Sequence, residues 1–305
     1  MNGGIRMDKF FVDIKKDAVF LYIKNKKGKE NSYIKYCLLH LRKPFDGGVY
    51  QNFDLWRFYE AFTYELIDGE FVKTLPYPIV SAGEWECALC ICGTRDFHGG
   101  IHGYEHQKEF FAEMDGAPVD IDTPQSFWTD NFRFYQKSVI VKQGTLDEPV
   151  ADHVKDYYFC DGGVTLKQDV KWLQDLEIAY AYLAMFPIRR THDDTETGEV
   201  ISDRAMTNLS DEVYDVGKLW HETPISPIKN AKSGVKWAKI WGSESGVTAE
   251  FTVLQNGVLD SNLFFIQNNE SYNKLYYSCA GNGKRFPVKV GDDWHFEDRF
   301  EIYRV

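Results

Sequence analysis

The sequence predicts an all-β protein: an antiparallel β-sandwich of the jelly-roll or super-sandwich kind, with few short helices. Three observations predict it. Aromatic residues make up 16% of the 305 residues, with 22 Phe, 18 Tyr and 8 Trp, and such side chains favour pleated surfaces. Short runs of alternating apolar and polar residues recur along the chain, bounded by Gly, Asp and Asn turns. No long capped amphipathic helix alternates with these runs, which argues against a doubly wound or barrel α/β fold.

The elements read as follows. Ala18 to Lys24 (AVFLYIK), Ser32 to His40 (SYIKYCLLH) and Phe58 to Ile67 (FYEAFTYELI) are strands rich in aromatic and β-branched residues. Trp85 to Gly93 (WECALCICG) is a buried strand. Glu109 to Met114 runs into Asp115-Gly116, a turn signal. Phe132 to Val141, His153 to Phe159 and Val164 to Trp172 follow as hairpin strands, the last two joined at Gly162-Gly163. Glu177 to Ile188 (EIAYAYLAMFPI) fits a strand or a short helix, because periodicity does not separate the two in so short an apolar run. Arg189 to Val200 and Thr223 to Lys232, with Pro224 and Pro227, read as exposed loops. Strands return at Val235 to Trp241, Val247 to Leu254, Asn262 to Gln267, Lys274 to Cys279 and Trp294 to Tyr303. We read residues 8–305 as one β-sandwich domain and 1–7 as an N-terminal extension, with a division into two β-layers near Asn230 as the alternative.

Composition narrows the function classes. A net charge of -11 repels phosphate backbones and so disfavours nucleic acid as a partner. No apolar run approaches the roughly 18 to 20 residues of a membrane helix, so no membrane partner is expected. The N-terminal stretch has no signal-peptide pattern, which predicts a cytoplasmic, released or particle-associated protein. Six cysteines in 305 residues do not make a disulfide scaffold and are expected as buried free thiols.

The densest chemical feature is the segment Arg95 to Gln107, RDFHGGIHGYEHQ, which holds His98, His102 and His106 among Gly99, Gly100 and Gly103. Glycine lets the backbone approach a ligand closely, and titratable groups at this density need partners when buried. In HVKDYYF, His153, Lys155 and Tyr157 alternate and so share one sheet face. Across the Gly162-Gly163 turn, Gln168 and Trp172 share one face, while Lys167, Asp169 and Lys171 share the other. Arg189, Arg190 and His192 follow on the adjacent loop, and Arg offers a planar fork for a carboxylate. We therefore select His102, Tyr104, His153, Tyr157, Arg189 and Arg190 as catalytic candidates, and His98, Glu105, Lys155, Gln168, Trp172 and His192 as substrate-binding candidates.

Aromatic-rich strands that carry His, Tyr, Arg and Gln in alternation resemble polysaccharide lyases of the jelly-roll and super-sandwich kind. The resemblance lies in the strand grammar rather than in a motif. It implies β-elimination from a glycan containing uronic acid, with His and Tyr as acid and base, an Arg on the substrate carboxylate and no cofactor. The string GGIHGYE at residues 99–105 is similar to the zinc segment of aspartoacylases and succinylglutamate desuccinylases. That resemblance implies a zinc-dependent hydrolase with His102 and Glu105 as ligands to a divalent metal, and His192 or His221 as the distant one. The third reading is a non-catalytic carbohydrate-binding or particle structural β-protein, marked by exposed aromatics without converging acid-base groups. In the lyase and binding readings the partner is an oligosaccharide or polysaccharide. The sequence leaves the oligomeric state open.

Overall fold

The computed structural model describes residues 10–44, 52–80, 85–160, 162–192, 199–217, 232–257, 263–268, 271–280 and 285–305. Along the chain the strands are β1 (Phe10–Lys15), β2 (Ala18–Lys24), β3 (Ser32–Lys43), β4 (Phe53–Ile67), β5 (Glu70–Lys73) and β6 (Ala88–Ile91). After a 3-10 turn at Gly100–His102 come β7 (Glu105–Met114), β8 (Ala117–Val119), β9 (Gln125–Thr129), β10 (Phe132–Val141), β11 (Pro149–Cys160) and β12 (Gly163–Trp172). The remainder are β13 (Leu176–Arg189), β14 (Arg204–Thr207), β15 (Tyr214–Asp215), β16 (Lys232–Ser233), β17 (Trp237–Trp241) and β18 (Val247–Asn256). Last come β19 (Leu263–Asn268), β20 (Tyr272–Ala280), β21 (Phe286–Val288) and β22 (Asp293–Arg304). The protein is all-β, as the sequence predicts. No helix among the described residues is long and apolar enough to cross a membrane.

The strands form a 16-stranded and a 6-stranded sheet. The large sheet runs β15-β14-β17-β18-β22-β12-β11-β10-β7-β4-β3-β2-β1-β9, and the small one runs β16-β19-β20-β13-β21 with β6 beside β13. Pairing is antiparallel except where Phe53 and Asp54 of β4 lie parallel to Glu105 and His106 of β7. One hydrophobic cluster extends from Phe10 to Ile302 and draws on both sheets.

The strands that carry the site follow the period of two. On β11, Ala151, His153, Lys155, Tyr157 and Phe159 are buried, and on β12, Val164, Leu166, Gln168, Val170 and Trp172 are buried. Lys167, Asp169 and Lys171 alternate outward. The hairpin between them needs glycine: Gly162 has φ +85°, and a Cβ there would stand 2.8 Å from the Asn25 Cα. Any L side chain would meet both the backbone penalty and that clash.

One open reading is settled and two expectations are corrected. Glu177 to Ile188 is strand, because β13 pairs with β20 on one side and with β6 and β21 on the other. Arg189 and Arg190 are not on an exposed loop. Arg189 closes β13, and Arg190 is 3% exposed. The rest of that predicted loop lies largely outside the described residues, as does the Pro-containing one apart from Lys232. All six cysteines are free, but only Cys37, Cys87 and Cys279 are buried, while Cys90, Cys92 and Cys160 are partly exposed.

Candidate active site

The inner face of β10, β11 and β12 carries a row of polar groups where a sandwich normally places apolar ones. Register aligns Ser138 with His153, and Gln136 with Lys155 and Gln168. Glu105, at the start of β7, joins this row, and all six of these side chains have 0% exposure. Glu105 is the hub. Its Oε1 lies 2.9 Å from Lys155 Nζ and 3.0 Å from His153 Nδ1, and accepts the Ser138 hydroxyl at 2.5 Å. Its Oε2 accepts the Gly100 N–H at 2.8 Å. Burial alone would push this carboxyl up, but Lys155, His153 and the Ser138 hydrogen bond together hold it well below the usual carboxylate range.

Gln168 fixes the other side of His153. Its Oε1 accepts the Cys87 N–H at 3.2 Å and its Nε2 donates to the Leu183 carbonyl at 3.0 Å, which sets the orientation of the amide. The Oε1 then stands 3.1 Å from His153 Nε2. Both ring nitrogens of His153 therefore face side-chain oxygens, and the ring bridges Glu105 and Gln168.

A second half of the centre comes from β4 and the segment before β6. Glu86 Oε1 accepts the Phe58 N–H at 3.1 Å and the Tyr157 hydroxyl at 2.8 Å, while its Oε2 has no hydrogen-bond partner. Burial, with the nearby Glu86 adding to it, holds Tyr157 well above its ordinary range, so it stays protonated. Arg57 has 0% exposure, and among the described residues none of its three guanidinium nitrogens has a hydrogen-bond partner. Burial pushes it down, and the neighbouring Glu86 and Glu105 oppose that. The sheet opens beside Arg57. The pairing of β4 with β7 stops at Asp54 and His106, and Gln136 Oε1 then accepts the Trp56 N–H at 2.7 Å while its Nε2 donates to the Trp56 carbonyl at 3.1 Å.

The glycine turn closes over this centre. Gly99 has φ +94°, and a Cβ on it would sit 2.7 Å from the Cys87 carbonyl oxygen. His102 rides on the turn and is only partly buried. Burial lowers its pKa to about 4, helped by the Arg57 charge. His98 has 0% exposure and is likewise lowered to about 4, chiefly by burial.

The structure thus brings together Glu105, His153, Lys155, Tyr157 and Gln168, with His102 and His98 on the covering segment. It does not bring in the rest. Tyr104 is fully buried with φ +57°, in a small cluster with Val139 and Val141, and its ring lies 5.1 Å from that of His98. Trp172 packs edge-on to Trp294 at 5.0 Å. Arg189 Nη1 donates to the His192 carbonyl, Arg190 Nη1 donates to the Gly217 carbonyl, and the His192 ring lies 5.3 Å from Tyr77. His221 lies outside the described residues. The zinc geometry meets an obstacle at Glu105, whose oxygens already face the Lys155 ammonium, the His153 ring, the Ser138 hydroxyl and the Gly100 N–H. No group of three or more His, Cys, Asp or Glu able to hold a metal occurs among the described residues. Sequence reasoning missed Arg57 and Glu86.

No family model matches the chain, and no curated protein does either. Among solved structures, the galactosidase domain of the alpha-galactosidase-sucrose kinase AgaSK superposes with a TM-score of 0.51 at 8% identity, over 96% of this chain and 42% of that one. The GH36 alpha-galactosidase AgaB from Geobacillus stearothermophilus gives 0.49 at 7% identity, over 96% and 41%. The Slr1438 protein from Synechocystis gives 0.44 at 11% identity, over 94% and 96%. At such identities the AgaSK likeness establishes the fold alone. The chain spans about two fifths of the length of these galactosidases.

Proposed function

We propose that the chain is a carbohydrate-active enzyme that cleaves a glycan containing uronic acid by β-elimination, with the interior polar centre as its acid-base site. The observation that carries this reading is the Arg57 guanidinium: enclosed, charged and, among the described residues, without a hydrogen-bond partner. Burying a charged group without such partners is costly, and a substrate carboxylate would supply them. Arg57 would take the role that the sequence gave to Arg189 or Arg190. The shared fold with a galactosidase domain supports a sugar ligand by analogy only.

The steps follow from protonation states. A carboxylate on Arg57 makes the adjacent C–H more acidic by drawing off charge. His102, neutral above about pH 4, takes that proton as base. Tyr157, protonated through neutral pH, gives a proton to the departing glycosidic oxygen, and Glu86 holds its hydroxyl in place. Incubation with acidic and neutral polysaccharides tests the reading. We expect ultraviolet absorbance from an unsaturated uronate with the acidic polymers only, and a loss of about 10²–10⁴-fold in His102→Ala and Tyr157→Phe. Folded variants with wild-type turnover would refute the assignment.

The complete enclosure of the polar row favours a second reading, a non-catalytic glycan-binding protein in which this row is an internal strut. It predicts glycan retention with no product.

A further inference from the structure

Arg57, Glu86, Glu105, Ser138, His153, Lys155, Tyr157 and Gln168 are each at most 1% exposed. Of the groups described for this centre, only His102 reaches solvent. A sugar chain therefore meets the centre at His102, and the surface beside it decides which chain can bind.

That surface is the outer face of the small sheet. β6 pairs with β13, placing Cys90 opposite Tyr180 and Ala88 opposite Tyr182. On its other side Leu89 bridges to His98. Leu89 and His98 are buried inward, so alternation turns Phe97, Tyr180 and Tyr182 outward. The three rings are partly exposed and adjoin one another. Phe97 stacks on Tyr182 with centroids 5.3 Å apart at 19°, lies 6.1 Å from Tyr180, and lies 5.2 Å from the His102 ring. Behind them Tyr276 meets Tyr182 edge-on at 4.6 Å and stacks on Phe265 at 4.7 Å, with Met185 and Ala88 filling the layer. The buried layer fixes the outer rings before any ligand arrives, which lowers the entropy cost of binding.

We propose that Phe97, Tyr180 and Tyr182 are the subsite that holds the sugars of an acidic glycan next to the bond being broken. This rests on the acid-base reading above. Aromatic rings offer apolar edges and faces to the C–H side of a pyranose. The subsite ends on His102, and so points the chain at Arg57.

Affinity electrophoresis through gels containing alginate, polygalacturonate or hyaluronan, run beside turnover assays on the same polymers, tests this. We expect Tyr182→Ala and Phe97→Ala to lose affinity by about tenfold, roughly 1.4 kcal/mol, and to raise KM more than they lower kcat. Tyr182→Phe should restore binding, and His102→Ala should abolish turnover. Turnover with unchanged KM in both alanine variants overturns the subsite and leaves the elimination reading standing. Retention without product, abolished in Tyr182→Ala, supports the subsite and overturns elimination. Wild-type protein retained by none of the three polymers overturns the subsite.

Discussion

Glu105 and Asp298 are both carboxyl groups with 0% exposure on strands of the large sheet, yet the fold treats them oppositely. Glu105 collects an ammonium, an imidazole, a hydroxyl and a backbone N–H, and is held well below the carboxylate range. Asp298, on β22 opposite Leu166 of β12, has no hydrogen-bond partner among the described residues for either oxygen. Burial, with a smaller push from Glu297, drives it well above that range. The difference shows that enclosure does not decide charge in this core. The neighbours do: Lys155, His153 and the hydrogen bonds outweigh desolvation at one position, and their absence lets desolvation win at the other.

The largest test of this contrast removes the ammonium. Lys155→Met leaves Glu105 enclosed beside a reduced set of donors and should cost about 3–5 kcal/mol in denaturant unfolding. Lys155→Met combined with Glu105→Gln should recover much of that loss, because the uncompensated charge is gone. A single variant as stable as wild type would mean that Lys155 does not hold Glu105 ionised.

Part of this centre was legible in the sequence. The alternation in HVKDYYF put His153, Lys155 and Tyr157 on one face, the Gly162-Gly163 turn brought Gln168 alongside, and the histidine-glycine segment pointed to Glu105. The strand grammar gave the all-β fold. Arg57 and Glu86 were not legible. A charged residue in an aromatic strand such as FDLWRFYE reads as the solvent side of a half-buried sheet. What admits Arg57 is the early end of the parallel contact between β4 and β7, with the Gln136 side chain replacing a strand partner at Trp56. That break depends on pairing across more than fifty residues and leaves no local pattern. Arg189 and Arg190 misled for the converse reason. Turn-like composition after them suggested a loop, while Arg189 N–H bonds to the Ile79 carbonyl and β13 continues.

A buried base sharpens the contrast from the opposite sign. His98 is enclosed with its pKa lowered to about 4, so the folded state disfavours its protonation. Its contribution is fully present above the unfolded value near 6.5 and is lost as pH falls from there toward 4. The shift corresponds to about 3 kcal/mol. His98→Gln should flatten the decline in stability over that interval, measured by urea unfolding at stepped pH. An unchanged slope would assign the decline to other groups.

Asp298 should show the reverse slope. Its folded pKa is raised, so its contribution is complete below the unfolded value near 3.9 and is lost as pH rises. Asp298→Asn removes that penalty and should stabilise the protein at neutral pH, read as a higher Tm, with little gain at pH 3. Equal effects at both pH values would indicate packing rather than ionisation.

The smallest expected effect asks how many donors Glu105 needs. Ser138→Ala deletes one neutral hydrogen bond and leaves Lys155, His153 and the Gly100 N–H in place, so the loss at neutral pH should be about 1 kcal/mol. The sign is more informative than the size. A carboxylate with a depressed pKa contributes stability above its unfolded value, which is lost as pH falls through the folded one. With one donor fewer, the folded pKa of Glu105 moves up toward the unfolded value, and the acid-unfolding midpoint moves to higher pH. Lys155→Met should move that midpoint further in the same direction. If Ser138→Ala shifts it as far as Lys155→Met does, the hydroxyl rather than the ammonium keeps Glu105 ionised, and the distinction between the two buried carboxyls would rest on hydrogen bonding rather than on charge.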